Sequence, residues 1–375
     1  VSVKNGLDAD VIVVGGGAMG SAAAWQLAGR GVDVLLIERF EPGHTRGASH
    51  GASRIFRLSY PDAPHIALAR EARELWRDLE KASGTSLLTV TGGVDHGSPV
   101  FLGRLHAGLA EAGVESHWVD AGEAGRRWPG LRVEGRALFH PDSGRLHADR
   151  AVAALQAQAA RQGSVVLHHT RVVKIEVLGD DAVAVSTEQD SRPLRARRVV
   201  VAVGAWTDQL LGGLVPLPRL RVTQEQPAHF QPFEEGQDWP SFGHFAAGLP
   251  AYGLATPGEG VKVGLHAAGP RIDPERRDFR PRPELSAALE RYVRDWLPGL
   301  DPDTAQTVTC TYTSTPDEVF VLDRSGPVVV AAGFSGTGFK FVPAIGRILA
   351  DLATDGPRPD PLFSLDRSRK GLTAP

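Results

Sequence analysis

Asp10-Val11-Ile12-Val13-Val14-Gly15-Gly16-Gly17-Ala18-Met19-Gly20 decides the fold of this chain. Asp10 to Val14 is a short β-rich run, and the glycine turn after it opens a helix of small residues from Ser21 to about Arg30. A second apolar strand, Val32 to Ile37, ends at Glu38. Strand, glycine turn, helix, strand and acid form the first βαβ unit of a dinucleotide-binding fold. Gly15, Gly17 and Gly20 fit GxGxxG, and each glycine serves a separate purpose, respectively the tight turn, close approach of backbone N–H groups to a pyrophosphate, and close helix packing. At the strand end, the Glu38 carboxylate is placed to accept hydrogen bonds from ribose hydroxyls. These features specify a dinucleotide without choosing which one.

Working outward, Leu68, Ala72, Leu75, Trp76 and Leu79 recur at helical spacing between Ala63 and Ser83, so the chain there predicts an amphipathic helix with its apolar stripe on the sheet. Asp149 to Arg161 reads as another helix, and Val165 to Leu167 and Val172 to Val177 as strands. Arg198 to Gly204 and Pro327 to Gly333 repeat the valine-rich, glycine-terminated character of the first strand. One sheet assembled from three distant stretches is therefore expected. The fold class that follows is α/β: a Rossmann-like βαβ domain interleaved with a second, α+β domain on a mixed or antiparallel sheet. The first takes residues 1–85, 145–225 and 321–375, and the second takes 86–144 and 226–320. Asp273 to Arg282 reads as a charged surface loop and no more.

Composition removes several function classes. Hydrophobic residues are 42% and charged residues 23%, as in folded globular proteins. A net charge of -3, with no long basic block, gives no reason to expect a nucleic-acid partner. Apolar runs such as Val11 to Val14 fall far short of the roughly 18 residues that span a bilayer. The start of the chain has no signal-peptide pattern, so a cytoplasmic enzyme is the expectation. A single cysteine, Cys310, forbids an internal disulfide, and the thirteen histidines show no paired ligand spacing, so no metal is expected.

Three further stretches choose the cofactor: Gly47-Ala-Ser-His50-Gly51-Ala-Ser-Arg54-Ile-Phe-Arg57-Leu-Ser-Tyr60, Cys310-Thr-Tyr312-Thr, and Gly333-Phe-Ser-Gly-Thr-Gly338-Phe-Lys340-Phe. With Gly130-Leu-Arg, Asp142-Ser-Gly144, Val203-Gly-Ala-Trp206 and Pro316-Asp-Glu318 in the same order, the chain resembles the monomeric sarcosine oxidase and N-methyltryptophan oxidase family, within the D-amino-acid oxidase superfamily of FAD-dependent oxidoreductases. The resemblance runs from Val11 to Phe341.

It implies FAD as cofactor, bonded covalently to Cys310, with a small amino acid and O2 as the reaction partners and a monomeric enzyme. Arg57 and Lys340 match the pair that grips the substrate carboxylate, with Tyr312 and Tyr60 beside it; two converging cations give charge-assisted hydrogen bonds and fix the α-carbon. Arg54 and Lys262 match basic residues near the flavin ring, where a fixed positive charge stabilises anion formed as oxygen is reduced. Taken alone, Val261-Lys-Val263 alternates like a half-buried strand with its lysine in solvent. His266 and Tyr252 match catalytic-cavity residues. Gly15, Gly17, Ala18, Met19, Gly20, Glu38, Arg39, His50, Val172, Gly204, Trp206, Gly333, Gly336 and Gly338, together with Arg54, Cys310 and Lys340, match cofactor contacts. Gly243, where the family carries a larger apolar residue, and Thr337, in place of a histidine, suggest a roomier pocket and a bulkier N-methyl or cyclic substrate than sarcosine. Rival expectations are a flavin dehydrogenase with another electron acceptor, an NAD-linked oxidoreductase, and a non-catalytic flavin-binding protein.

Overall fold

The computed structural model describes residues 6–246, 248 and 250–367. At its centre, Ala9–Val14 lies parallel to Val34–Ile37 on one side and to Leu194–Val201 on the other. Val165–Leu167 extends the sheet beyond Val34–Ile37. Leu194–Val201 shares its far edge between two neighbours: Val199 to Val201 pair with Val328 to Val330 in parallel, and Leu194 to Ala196 with Val183 to Val185 antiparallel. The three valine-rich stretches are thus adjacent strands of one sheet. Their runs are apolar throughout because both faces are covered, as parallel strands require. Val13, Leu36, Val200 and Val329 face a helical layer, whereas Ile12, Leu35, Val199 and Val328 pack beneath Ile175, Leu211 and Leu220.

The helical layer is Ala18–Ala28, Ala148–Arg161 and Val342–Ala353. Its closeness depends on absent side chains: a Cβ on Gly346 would stand 2.6 Å from the Ala22 methyl, and one on Gly20 only 1.9 Å from the Gly15 carbonyl oxygen. The predicted helix Ala63–Ser83 is capped by Asp62, which accepts from the His65 N–H, and ends at Gly84 in the left-handed region. Its stripe packs chiefly on Val342–Ala353 and Ala148–Arg161 and not on the sheet, since those helices already cover that face. Trp76, fully buried, donates its indole N–H to the Lys340 carbonyl at 2.9 Å, so this helix braces a loop that carries a predicted site residue. Several expected boundaries shift: the helix expected from Ser21 begins at Ala18 and the strand expected from Val32 begins at Val34. The helix expected from Asp149 begins at Ala148 with His147 as its cap, and the strand expected to reach Gly204 stops at Val201, after which Gly204–Trp206 forms a 3-10 turn.

A second sheet runs Gln306–Thr307, Ala228–Phe230, Gly260–Leu265, Ala251–Thr256, Ser241–Phe245, Gly93–Gly97, Arg136–His140 and His117–Asp120. All neighbours are antiparallel except Ser241–Phe245 with Gly93–Gly97, so the sheet is mixed. Leu289, Tyr292 and Val293 of the helix Pro283–Trp296 pack with Val261 and Val263. Between the two large sheets lie a ribbon, Arg221–Glu225 with Cys310–Ser314, and a three-stranded sheet of Arg54–Phe56, Gly144–Leu146 and Leu88–Val90. A bridge between Ser314 and Phe334 ties the Cys310 strand to the Lys340 loop.

Candidate active site

One cavity of about 690 Å³ runs from the glycine turn to the second sheet. Its first end is built from the βαβ unit. Gly15 has φ +103°, and a Cβ there would stand 2.5 Å from the Ala202 carbonyl oxygen. The helix that follows has no acidic residue in its first turn and presents its positive end to the cavity. Glu38 accepts from the Gly16 N–H at 2.6 Å and from the Phe40 N–H at 2.9 Å. Burial pushes the Glu38 carboxyl up, but His44 and these two N–H groups outweigh it and hold it below the usual carboxylate range, so it is an anion. Arg39 lies over the Phe40 ring at 5.0 Å and the Trp206 ring at 5.9 Å.

The loop from Asp273 to Arg282, expected to be surface only, closes this end. Glu275 takes both guanidinium nitrogens of Arg39, the longer contact at 2.9 Å, and Arg277 is 8% exposed. Arg277 donates to the Gln224 side chain, the Arg46 carbonyl and the Thr309 hydroxyl, which are neutral acceptors that let a guanidinium sit under the Cys310 strand. Charge alone did not distinguish this loop from solvated surface.

At the other end the walls are cationic. The Arg54 guanidinium is held by the carbonyls of Ala48, His50 and Ser53. Lys262 is 7% exposed, so its strand presents the lysine inward and not to solvent. Burial, and then Arg54, bring its ammonium down to about 7, with Cys310 working in the other direction. Lys340 is also buried; its Nζ donates to the Thr337 carbonyl at 2.6 Å, and burial followed by Arg57 lowers it well below the ordinary lysine value. Arg57 and Lys340 approach one aromatic ring, that of Tyr60, at 5.2 Å and 5.6 Å. Cys310 stands in the wall opposite Glu225 on the paired strand. Burial raises its thiol, while Arg54, Lys262 and Arg277 pull it down. Tyr252 and Tyr312 are raised by burial and stay neutral phenols, and the Tyr312 ring lies 5.5 Å from that of His266.

Of the residues expected at cofactor or substrate, all line this cavity except Gly20, His50, Tyr60 and Gly333. Gly20 acts one layer back, by helix packing. Tyr60 stands behind Arg57 and Lys340. His50 is lowered to about 3, first by burial and then by Arg54 and Lys262, and gives its carbonyl to Arg54. Gly333, at φ +69°, ends its strand against Thr315.

Lining residues that sequence reasoning missed include Asp95, Ser49 and Glu318. Ser49 accepts from the Ala18 N–H at 3.0 Å; it lies inside a stretch already singled out, so its neighbours were the signal. Asp95 is the one acid in the short strand Gly93–Gly97 and had no motif to reveal it. Nor does Gly243 open the pocket as expected: a Cβ there would stand 2.7 Å from Asp95 Oδ1 and 3.0 Å from the Phe245 ring, so those groups occupy the room it leaves.

Comparison with known proteins gives concordant findings. The model of a family described as FAD dependent oxidoreductase matches residues 10–352. A monomeric sarcosine oxidase of Bacillus sp. (strain B-0618) is 35% identical over 367 residues, covering 92% of each chain. An N-methyl-L-tryptophan oxidase of Yersinia pestis (strain Pestoides F) is 29% identical over 97% of this chain and 100% of its own. The solved structure of NikD in an open form, described as an unusual amino acid oxidase essential for nikkomycin biosynthesis, superposes with a TM-score of 0.84. It is 29% identical and covers 95% of this chain and 97% of that one.

Proposed function

The chain belongs to the FAD dependent oxidoreductase family, and from that premise we propose that it oxidises the C–N bond of a secondary amino acid, N-methylated or cyclic, to an imine while O2 becomes hydrogen peroxide. One observation carries the reading: a single cavity joins a dinucleotide cradle to a buried cluster of Arg54, Arg57, Lys262 and Lys340, with the lone cysteine in its wall.

The residues present fit FAD. The bare backbone at Gly15 and Gly17 and the helix end behind it suit a pyrophosphate, and the anionic Glu38 suits ribose hydroxyls. Arg39, Val172, Gly204 and Trp206 line the same half, while Arg54, Lys262, Cys310, Gly336 and Gly338 line the half where the ring system would lie. Bound there, FAD supplies the two-electron acceptor that returns its electrons to oxygen.

The protein's own groups do the rest. Arg57 and Lys340 take the substrate carboxylate, which gives Lys340 a counter-charge in place of the hydration that burial has removed. Tyr312 and His266 bound the volume left for the α-carbon and amine. No side-chain base is needed if the amine enters uncharged, and a cation-rich wall favours that form. Lys262 and Arg54 place positive charge where oxygen gains electrons. We assign Cys310 as the residue that would hold the cofactor covalently through its sulfur, a bond whose formation would need a two-electron oxidant such as O2. A monomeric, cytoplasmic enzyme divided as the sequence suggests completes the reading. Among the described residues no helix is long and apolar enough to cross a membrane.

Intact-protein mass spectrometry and acid precipitation test the attachment. The flavin mass should stay with the wild-type chain and be lost in Cys310→Ser. Peroxide release under air, with sarcosine, N-methyl-L-tryptophan, proline and pipecolate supplied in turn, tests the chemistry. Failure of all four to bleach the flavin anaerobically would remove the amino-acid oxidase assignment, and bleaching without peroxide would favour a dehydrogenase.

A further inference from the structure

Beside Arg57 the cavity wall carries a carboxylate that the proposed chemistry leaves unused. Asp95, in the middle of Gly93–Gly97, is 1% exposed and yet lines the cavity. Its two oxygens differ. Oδ2 is committed, accepting from the Ser59 hydroxyl at 2.7 Å and meeting His140 Nε2 at 3.0 Å. Among the described residues, Oδ1 has only a long approach from Arg57, at 3.6 Å, and it faces Gly243.

The glycine is what leaves this oxygen reachable, since any Cβ at position 243 would stand 2.7 Å from it. Around it the wall is aromatic: Phe245 packs on Phe101 with ring centroids 4.6 Å apart and also lies under Arg57 at 5.3 Å. Burial pushes the Asp95 carboxyl up, but His140, Arg57 and Ser59 more than reverse this, so the group is charged. An anionic oxygen with one distant partner, on a buried side chain that lines the cavity, can take a further donor, and leaving such a group without one is unfavourable.

We propose that Asp95 is a specificity-determining residue, whose Oδ1 accepts a hydrogen bond from a donor on the substrate's own side chain. The enzyme accordingly selects secondary amino acids bearing a side-chain ammonium, amide N–H or hydroxyl over hydrocarbon ones of the same shape. This rests on reading the cavity as a secondary amino acid site. It narrows the substrate class by chemistry and not by volume, since the room gained at Gly243 is taken up by the acceptor.

Isosteric pairs test it on the flavin-loaded enzyme: piperazine-2-carboxylate against pipecolate, and Nα-methyl-L-ornithine against N-methyl-L-norleucine. Wild type is expected to favour the donor-bearing member of at least one pair by about 10- to 100-fold in kcat/KM, mostly through KM. Asp95→Asn, which keeps the shape but removes the charge, should lose most of that ratio. Gly243→Ala, which displaces Oδ1 without touching its chemistry, should compress the ratio as well. Equal kcat/KM within both pairs in wild type would overturn the proposal. So would an Asp95→Asn variant that slows both members of a pair by one common factor, because Asp95 would then merely hold Arg57. If wild type oxidises none of these compounds, the oxidase reading fails instead. Calorimetric binding of the same pairs to wild type and Asp95→Asn then decides the Asp95 proposal: a lost preference supports it and an unchanged one overturns it.

Discussion

Replacing Gly336 by alanine separates two physical effects that usually arrive together. Gly336 has φ +75°, and an ideal Cβ there would stand 2.2 Å from Tyr312 Cε2 and 2.3 Å from Cζ. Gly213, in an exposed turn, has φ +83° with nothing within 4 Å of its Cβ. Both alanines must adopt the left-handed region, which costs about 1–2 kcal/mol. Only the one at 336 must also push an aromatic ring back by more than an ångström. Tyr312 is 8% exposed and packed on His266, so its ring can retreat only into the cavity. Overpacking of this kind adds roughly 1–3 kcal/mol.

Gly336→Ala should therefore lose about 2–5 kcal/mol, against about 1–2 kcal/mol for Gly213→Ala. Urea unfolding followed by tryptophan fluorescence reads the difference between the variants. If the displaced ring intrudes on bound substrate, the same 1–3 kcal/mol lowers kcat/KM about 5- to 150-fold for Gly336→Ala and leaves Gly213→Ala near wild type. Equal unfolding midpoints for the two variants, together with unchanged kcat/KM, would refute the claim that Gly336 exists to let the Tyr312 ring lie against the Lys340 loop.

Lys262→Met should slow flavin reoxidation by O2 at least tenfold more than it slows reduction by substrate; stopped-flow measurement of the two half-reactions decides, and equal slowing removes the assigned role. Because burial brings the Lys262 ammonium down to about 7, its charged fraction falls as pH rises through that value. The wild-type oxygen rate constant should decline from pH 6 to 9 while that of Lys262→Met stays low and flat. Gly20→Ala drives a Cβ to 1.9 Å from a backbone oxygen of the turn proposed to cradle the pyrophosphate, so purified protein should carry substoichiometric flavin by its absorbance ratio. Full loading would show that the turn yields.

The βαβ unit was legible because its signals are local: a strand, a turn and a helix meet within one short stretch, and Glu38 ends the next strand. The three valine-rich strands were legible for the same reason, since burial on both faces leaves a continuous apolar run. What the sequence did not show were relations between distant segments. Arg277 is buried because Gln224, Thr309 and the Arg46 carbonyl converge on it from elsewhere in the chain. Nothing within Asp273 to Arg282 encodes that. Gly243 read as space because a glycine is an absent side chain, and only the position of Asp95 on the neighbouring strand, paired at Gly243, shows the space to be filled. The cationic wall was placed by the order of whole motifs and not by spacing, which on its own would have left Lys262 in solvent.

That wall also explains why the site is poised for anions. Among the described residues, Lys262 and Lys340 are depressed by the same two causes in the same order, burial and then a neighbouring arginine. A lysine in that state gives up its proton more readily, and an arriving anion opposes both causes by supplying counter-charge and a hydrogen-bond acceptor. Carboxylate binding at Arg57 and Lys340, as proposed, would therefore be coupled to proton uptake wherever Lys340 begins neutral. For a carboxylate ligand with no ionising amine the sign is fixed by linkage: the bound state holds more protons, so affinity falls as pH rises through the depressed Lys340 range, whereas an amino acid that enters with its amine uncharged gives up a proton and offsets that slope. The limiting slope is one order of magnitude in Kd per pH unit for one proton taken up. The pH dependence of carboxylate affinity therefore reads the ionisation of Lys340.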